Sequence, residues 1–162
     1  MKVLFLDIDG VLNSHQSIHM YFRKSGGQGV RCDEHHFCPI AVSNLLTLFE
    51  EIPDLKIVVS STWRRFSSRE ELEEMFRMHG VDPAAFIGIT PYHPGAHRGL
   101  EIQDWLDIAK QNGMNIEKFA IVDDDSDMAH FRESGDFFKT DGRMGLMYDV
   151  TRRIIDHLNP TK

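Results

Sequence analysis

Two short apolar runs, each leading directly into aspartates, constrain this chain more than any other feature. Val3-Leu4-Phe5-Leu6 leads into Asp7-Ile8-Asp9-Gly10, and Phe119-Ala120-Ile121-Val122 leads into Asp123-Asp124-Asp125-Ser126-Asp127. Runs this short and apolar at every position read as strands buried on both faces, as in a parallel sheet covered by helices. Such sheets bind ligands beyond the carboxyl ends of their strands, so the two acidic groups are predicted to meet at one edge. Asp7 and Asp9 alternate on an extended backbone and point the same way, and their repulsion is costly unless a cation lies between them. Gly10 lets the chain turn close to that cation. Taken singly, these segments also fit a solvated turn, a calcium-type loop or a helix N-cap. Together they predict a site for Mg2+, which prefers carboxylate and water oxygens.

The rest of the chain alternates strands and helices. Pro39 opens a helix to about Glu51, and Leu55-Lys56-Ile57-Val58-Val59-Ser60 follows as the second strand. Ser67 and Ser68, with Glu70 and Glu71 three residues later, offer two registers of a capping box for a helix that stops near Gly80. Phe86–Thr90 reads as a strand, Leu100–Gln111 as a helix and Phe137–Lys139 as a strand, with short and long helices from about Met128 and Tyr148. Alternation of this kind implies one three-layer, Rossmann-like, doubly wound parallel sheet spanning residues 1–162. Residues 14–37 are polar and Gly-rich and are expected to form a mobile flap in place of a cap domain.

These residues resemble the motifs of the haloacid dehalogenase (HAD) superfamily of aspartyl phosphohydrolases. Asp7-x-Asp9-Gly10-Val11, the strand-ending Ser60, Arg98 in the place of a more usual Lys, and Asp123-Asp124 fall in order along nearly the whole chain. Ser60-Ser61-Thr62-Trp63-Arg64 and Arg98-Gly99-x-Glu101-Ile102-x-x-Trp105-Leu106 are most similar to a small group found in RNA-repair proteins. The resemblance implies a capless HAD-like phosphatase with Mg2+ as cofactor.

Chemistry then assigns the roles. Asp7 is the expected nucleophile, passing through an aspartyl-phosphate, and Asp9 the acid and base for the leaving oxygen and the attacking water. Asp7, Asp123 and, by resemblance, the Asp9 backbone carbonyl are the expected metal ligands, joined by Asp124, with Asp127 its rival or just behind it and Asp125 solvated. The resemblance implies that Ser60, Ser61, Gly10 and Arg98 hold the phosphate, with Thr62 a rival to the serines. Trp63, Arg64 and Arg65 are candidate substrate contacts, Trp63 also fitting a core position. Arg23, Lys24, Arg31 and Arg69 could complete a basic rim.

Composition limits the alternatives. At 162 residues and 41% hydrophobic content the chain has material for one ordinary core. The first strand begins at Lys2 without a leader-like stretch, so a cytoplasmic protein is expected, with no membrane partner. Cys32 and Cys38 make no disulfide framework; with His15, His19, His35 and His36 they offer a zinc alternative in the flap. His93 and His97 flank a turn ahead of Arg98, a further place for substrate contact. The substrate is expected to be a phosphorylated nucleic-acid end, 5' or 3', or a nucleotide, because an uncapped cleft suits a phosphate at the end of a large molecule. The net charge of -7 opposes broad polyanion binding. A small-metabolite phosphatase or phosphotransferase, a metal-dependent nuclease and a non-catalytic phosphate-binding module are the alternatives.

Overall fold

The computed structural model describes residues 1–24, 26 and 37–160. Strands β1 (Lys2–Leu6), β2 (Leu55–Val59), β3 (Phe86–Ile89), β4 (Lys118–Asp123) and β5 (Phe137–Lys139) form one sheet in the order β3-β2-β1-β4-β5, with every neighbouring pair parallel. Winding runs outward from β1 to β3, then restarts on the other side of β1 with β4, so the switch point lies between β1 and β4. That is where an open sheet of this type binds its ligand.

The period-2 alternation of the strands sorts the core into two layers. Leu4, Leu6, Ile57, Val59, Ala120 and Val122 face α2 (Pro39–Glu51), α3 (Arg69–Met78) and α6 (Tyr148–Leu158), packing with Leu45, Phe76 and Ile154. Val3, Phe5, Val58 and Ile121 face α4 (Arg98–Gln111) and the short α5 (Ala129–Arg132), packing with Ile102 and Phe131. Phe5 meets Trp105 and Phe119 edge-on, with ring centroids at 5.3 and 5.9 Å. Truncating such a buried ring to Ala costs about 3 to 5 kcal/mol. Among the described residues no helix is long and apolar enough to cross a membrane.

Two expectations need correction. The first part of the proposed flap is helical: α1 spans His15–Lys24. Ser14 starts it, its hydroxyl accepting from Ser17 N at 3.1 Å and its carbonyl from Ile18 N at 3.0 Å, while Arg23 and Lys24 suit the negative end of the helix dipole. Residues 25 and 27–36 of that stretch, with Arg31 and the zinc candidates Cys32, His35 and His36, lie outside the described residues. Second, α4 begins at Arg98 rather than Leu100, because its cap comes from elsewhere in the chain. The Asp127 carboxylate accepts from Arg98 N at 3.0 Å, where the local N-cap residue His97 supplies no side-chain bond. The capping box of α3 uses Ser68 with Glu71, each side chain bonded to the other's backbone N–H.

Candidate active site

The ladder continues one residue past each strand and places the polar side chains along one edge. Asp7 N donates to Val122 O at 3.1 Å, Ser60 N to Leu6 O at 3.0 Å and Thr140 N to Asp123 O at 3.0 Å. Asp7, Asp123 and Asp124 thereby bring carboxylate oxygens within 4.8 Å of one another. Arg98 enters from the N-terminus of α4, its Nη1 3.1 Å from Asp7 Oδ1 and 3.2 Å from Asp123 Oδ2. Asp123 is fully buried, and among the described residues its Oδ2 accepts no aligned hydrogen bond.

Charge crowding has the expected electrostatic consequences. Burial first, and then the Asp7 charge, push the Asp123 carboxyl up to about 7. The same two causes, in the same order, raise Asp124. Burial would lower the Arg98 guanidinium, but Asp7 and Asp123 outweigh it and hold it above its usual value. An all-oxygen set of close, strained carboxylates fits Mg2+ better than a thiol- or imidazole-seeking metal.

Gly10 contributes space rather than a phosphate donor, which corrects its expected role. Its N–H is taken by Asn13 O at 2.7 Å, and a side chain there would overlap the Asp124 carboxyl. Its φ of +76° is one L residues rarely adopt. Gly142, on the loop after β5, confines Asp124 from a second direction in the same way. Thr140 Oγ1 donates to Gly10 O at 2.9 Å and ties the two loops together.

Asp9 stands apart from the three clustered carboxylates. Its Oδ2 accepts from the Trp63 indole N–H at 2.8 Å and its Oδ1 from Asn13 Nδ2 at 3.3 Å. A cavity of about 340 Å³ opens beside it, lined by Asp9, Thr62, Trp63, Phe66 and Ser67. A larger hollow of about 590 Å³ against Phe37, α2 and His79 contains none of these acids.

The serine–arginine segment after β2 divides its labour differently from expectation. Ser60 is fully buried, and its hydroxyl has no partner among the described residues. Ser61, expected to bind phosphate, caps the 3-10 turn Thr62–Arg65 by accepting from Trp63 N at 3.4 Å, which leaves its O–H as a donor, while Thr62 is exposed. Arg64, expected at the substrate, is buried with its side chain 3% exposed. It pairs with Glu101 of α4 and donates to Ser60 O and Ser61 O, both at 2.6 Å. Glu101 in turn accepts from His93 N at 2.8 Å. Burial lowers the Arg64 guanidinium, with Glu101 opposing. Arg65 is the exposed arginine, its guanidinium 4.5 Å from the Tyr92 ring centroid and 5.4 Å from that of Phe66. Arg69 reaches back to Ile87 O at 3.3 Å, along β3. His97 ends as the N-cap position of α4 without a cap bond, and the His93 ring pairs with Asp104 at 2.7 Å.

Three of these contributions are absent from the sequence reading: the Trp63 and Asn13 bonds to Asp9, and the Arg64–Glu101 pair. Glu101 carried a signal, since it extends the stripe of Ile102, Trp105, Leu106 and Ala109 at helical spacing. An acid on an apolar stripe needs a cation. Asn13 carried one too, lying four residues beyond Asp9 in a segment turned tightly by Gly10.

Comparison with known proteins agrees with the fold. The HAD domain of the effector protein Lem4 from Legionella pneumophila superposes with a TM-score of 0.55 at 14% identity, over 98% of this chain and 95% of that one. No curated protein matches the chain. A family model does, the HAD domain in Swiss Army Knife RNA repair proteins, over residues 3–149. With five parallel strands aiming this acidic cluster at the switch point, and with that match over most of its length, the chain belongs to this HAD family.

Proposed function

We propose that the chain is a Mg2+-dependent phosphomonoesterase acting through an aspartyl-phosphate on Asp7, with a phosphorylated nucleic-acid end or nucleotide as substrate. Membership of the family supports a HAD-type phosphatase or a related activity. The observation that carries the finer reading is the separation of roles between two neighbouring acids. Asp7 shares Arg98 with Asp123, whereas Asp9 is held away from them by Trp63 and Asn13. A nucleophile beside a cation and an acid beside a cavity are what phosphoryl transfer to a carboxylate needs.

In the first step an Asp7 oxygen bonds to phosphorus as the ester P–O bond breaks, and Asp9 gives its proton to the leaving oxygen. In the second, water attacks the phosphorus of the acyl-phosphate and Asp9 takes its proton. The bond to Asp7 breaks and inorganic phosphate leaves. Arg98 balances the charge of Asp7 and of the phosphoryl oxygens, and the Ser60 hydroxyl is a donor available to one of them. Asp7, Asp123 and Asp124 would hold Mg2+, which when bound supplies positive charge to the equatorial oxygens.

The nucleic-acid part of the proposal is supported by what the family's description says of its members, RNA repair proteins. The cytoplasmic setting expected from the sequence belongs to the same proposal. A phosphate-release screen in Mg2+ against 5'- and 3'-phosphorylated oligonucleotides, nucleotides and sugar phosphates tests it. Preference for sugar phosphates would overturn the nucleic-acid reading, and failure to trap a phosphate on Asp7 in an active protein would favour the nuclease alternative.

A further inference from the structure

The cavity beside Asp9 sets two aromatic residues, Trp63 and Phe66, beside the polar Asp9, Thr62 and Ser67. Trp63 bonds Asp9, and Phe66 lines the same cavity. None of Asp7, Asp123 and Asp124 lines it. An acid that protonates a leaving oxygen must face the leaving group, so the body of the substrate lies on this side of the phosphate. Continuous with the cavity is an exposed stack. Phe66 is 78% exposed and Tyr92 45%, and the Arg65 guanidinium lies near both rings, 5.4 Å from one centroid and 4.5 Å from the other.

The turn that carries Arg65 and leads into Phe66 is held by its own hydrogen bonds. Ser61 caps the 3-10 turn that carries Trp63 and Arg65, and Phe66 N and Ser67 N both donate to Trp63 O at 2.9 Å. A guanidinium among aromatic rings is matched by a flat, polar-edged aromatic ligand with an anionic backbone. An aliphatic tail would leave Arg65 unanswered, and a free sugar would leave Phe66 uncovered. We propose that the terminal nucleobase of a phosphorylated single strand stacks on the Phe66–Arg65–Tyr92 platform, with its sugar in the cavity between Asp9 and Phe66. The inference rests on the phosphatase reading for the direction of the leaving group and adds the subsite that selects the substrate.

The test compares phosphorylated oligonucleotides that are identical except that the terminal nucleotide carries a base or is abasic, in both 5' and 3' forms. In Mg2+ the parent protein should prefer the base-bearing end in kcat/KM by about 5- to 150-fold, the range of one base–aromatic stack. The difference should lie mainly in KM, because the stack is the same in ground and transition states. Phe66→Ala should bring the ratio to within about twofold, and the exposure of Phe66 makes misfolding an inadequate explanation. A parent ratio near one, or a ratio that survives Phe66→Ala, would overturn the proposal. A second readout needs no turnover: an oligonucleotide with 2-aminopurine as terminal base should be quenched on binding to Asp7→Asn, and not by Asp7→Asn with Phe66→Ala. Quenching without phosphate release by the parent would overturn the phosphatase reading and support the stack. Release without quenching or base preference would do the reverse.

Discussion

Breaking the Arg64–Glu101 pair should reveal whether Arg64 belongs to the fold or to the substrate. Both side chains are almost wholly buried, at 3% and 4% exposure, and Arg64 also satisfies the carbonyls of Ser60 and Ser61. Removing one member of a buried pair leaves the other as an unpaired charge, at a cost of about 3 to 5 kcal/mol. Arg64→Met additionally strips two carbonyls of a donor, at roughly 1 to 3 kcal/mol each, so it should exceed Glu101→Gln, whose amide oxygen still accepts one bond. At about 2 to 4 °C per kcal/mol for a chain of this size, Glu101→Gln should lower Tm by roughly 6 to 20 °C. The double variant Arg64→Met/Glu101→Gln should recover stability relative to Arg64→Met, because no charge is left buried, yet remain below the parent because the carbonyls stay unpaired. Thermal melts of the four proteins form the double-mutant cycle. Single losses below about 1 kcal/mol, or strictly additive ones, would refute the clamp and return Arg64 to the solvent-facing rim.

The other predictions concern the site. Asp7→Asn should keep the parent's melting profile and reduce phosphate release below a few per cent, since the amide is nearly isosteric but no nucleophile; higher residual turnover would displace Asp7 from its role. Chelation should abolish activity, Mg2+ should restore it and Ca2+, with its looser shell, should inhibit; full turnover in excess chelator contradicts the carboxylate metal site. In chelator the metal-free protein should lose stability as pH rises from about 4 to about 7. Folded Asp123, raised to about 7, keeps a proton that the unfolded chain has already released, so the native state binds more protons across that window. Melts should show Tm falling over this range, with the slope reduced in Asp123→Asn; an unchanged slope in that variant would deny the assignment. Trp63→Phe should lower kcat by about 10- to 100-fold, the worth of a hydrogen bond to a charged group, and KM far less; a KM-dominated effect would make Trp63 a binding wall instead.

Much of the architecture was readable because it is local. The all-apolar strands, Pro39 at the start of α2 and the Ser68–Glu71 box are each encoded within a few residues. The identity of the acidic edge followed from strand ends alone. What was missed depends on partners distant in sequence. The start of α4 is set by Asp127, so a window around Arg98 carries no cap to read. The burial of Arg64 depends on Glu101, and its residue type argued for exposure. Gly10 was read correctly as a tight turn, but the space it makes is filled by Asp124, which follows the neighbouring strand β4 and is distant in sequence. Helix α1 was hidden by the Gly-rich stretch after it, which lent its character to residues that have a cap and no helix breaker before Lys24.

The middle strand of the sheet precedes its four companions in sequence, and this governs how the sheet is assembled. Lys2 sits in register with Leu55 on one side and with Lys118 on the other, so β1 can complete neither edge until distant sequence is available. Contacts of such long separation fold slowly, because the chain loses loop entropy before the pairing rewards it. During synthesis Asp7 leaves the ribosome well before its countercharge Arg98 and its companion acid Asp123. An unpaired apolar β1 is meanwhile a target for association with other chains. Expression at low temperature or with chaperones should therefore raise the soluble yield, and truncation before β4 should yield an aggregating polypeptide rather than a smaller domain.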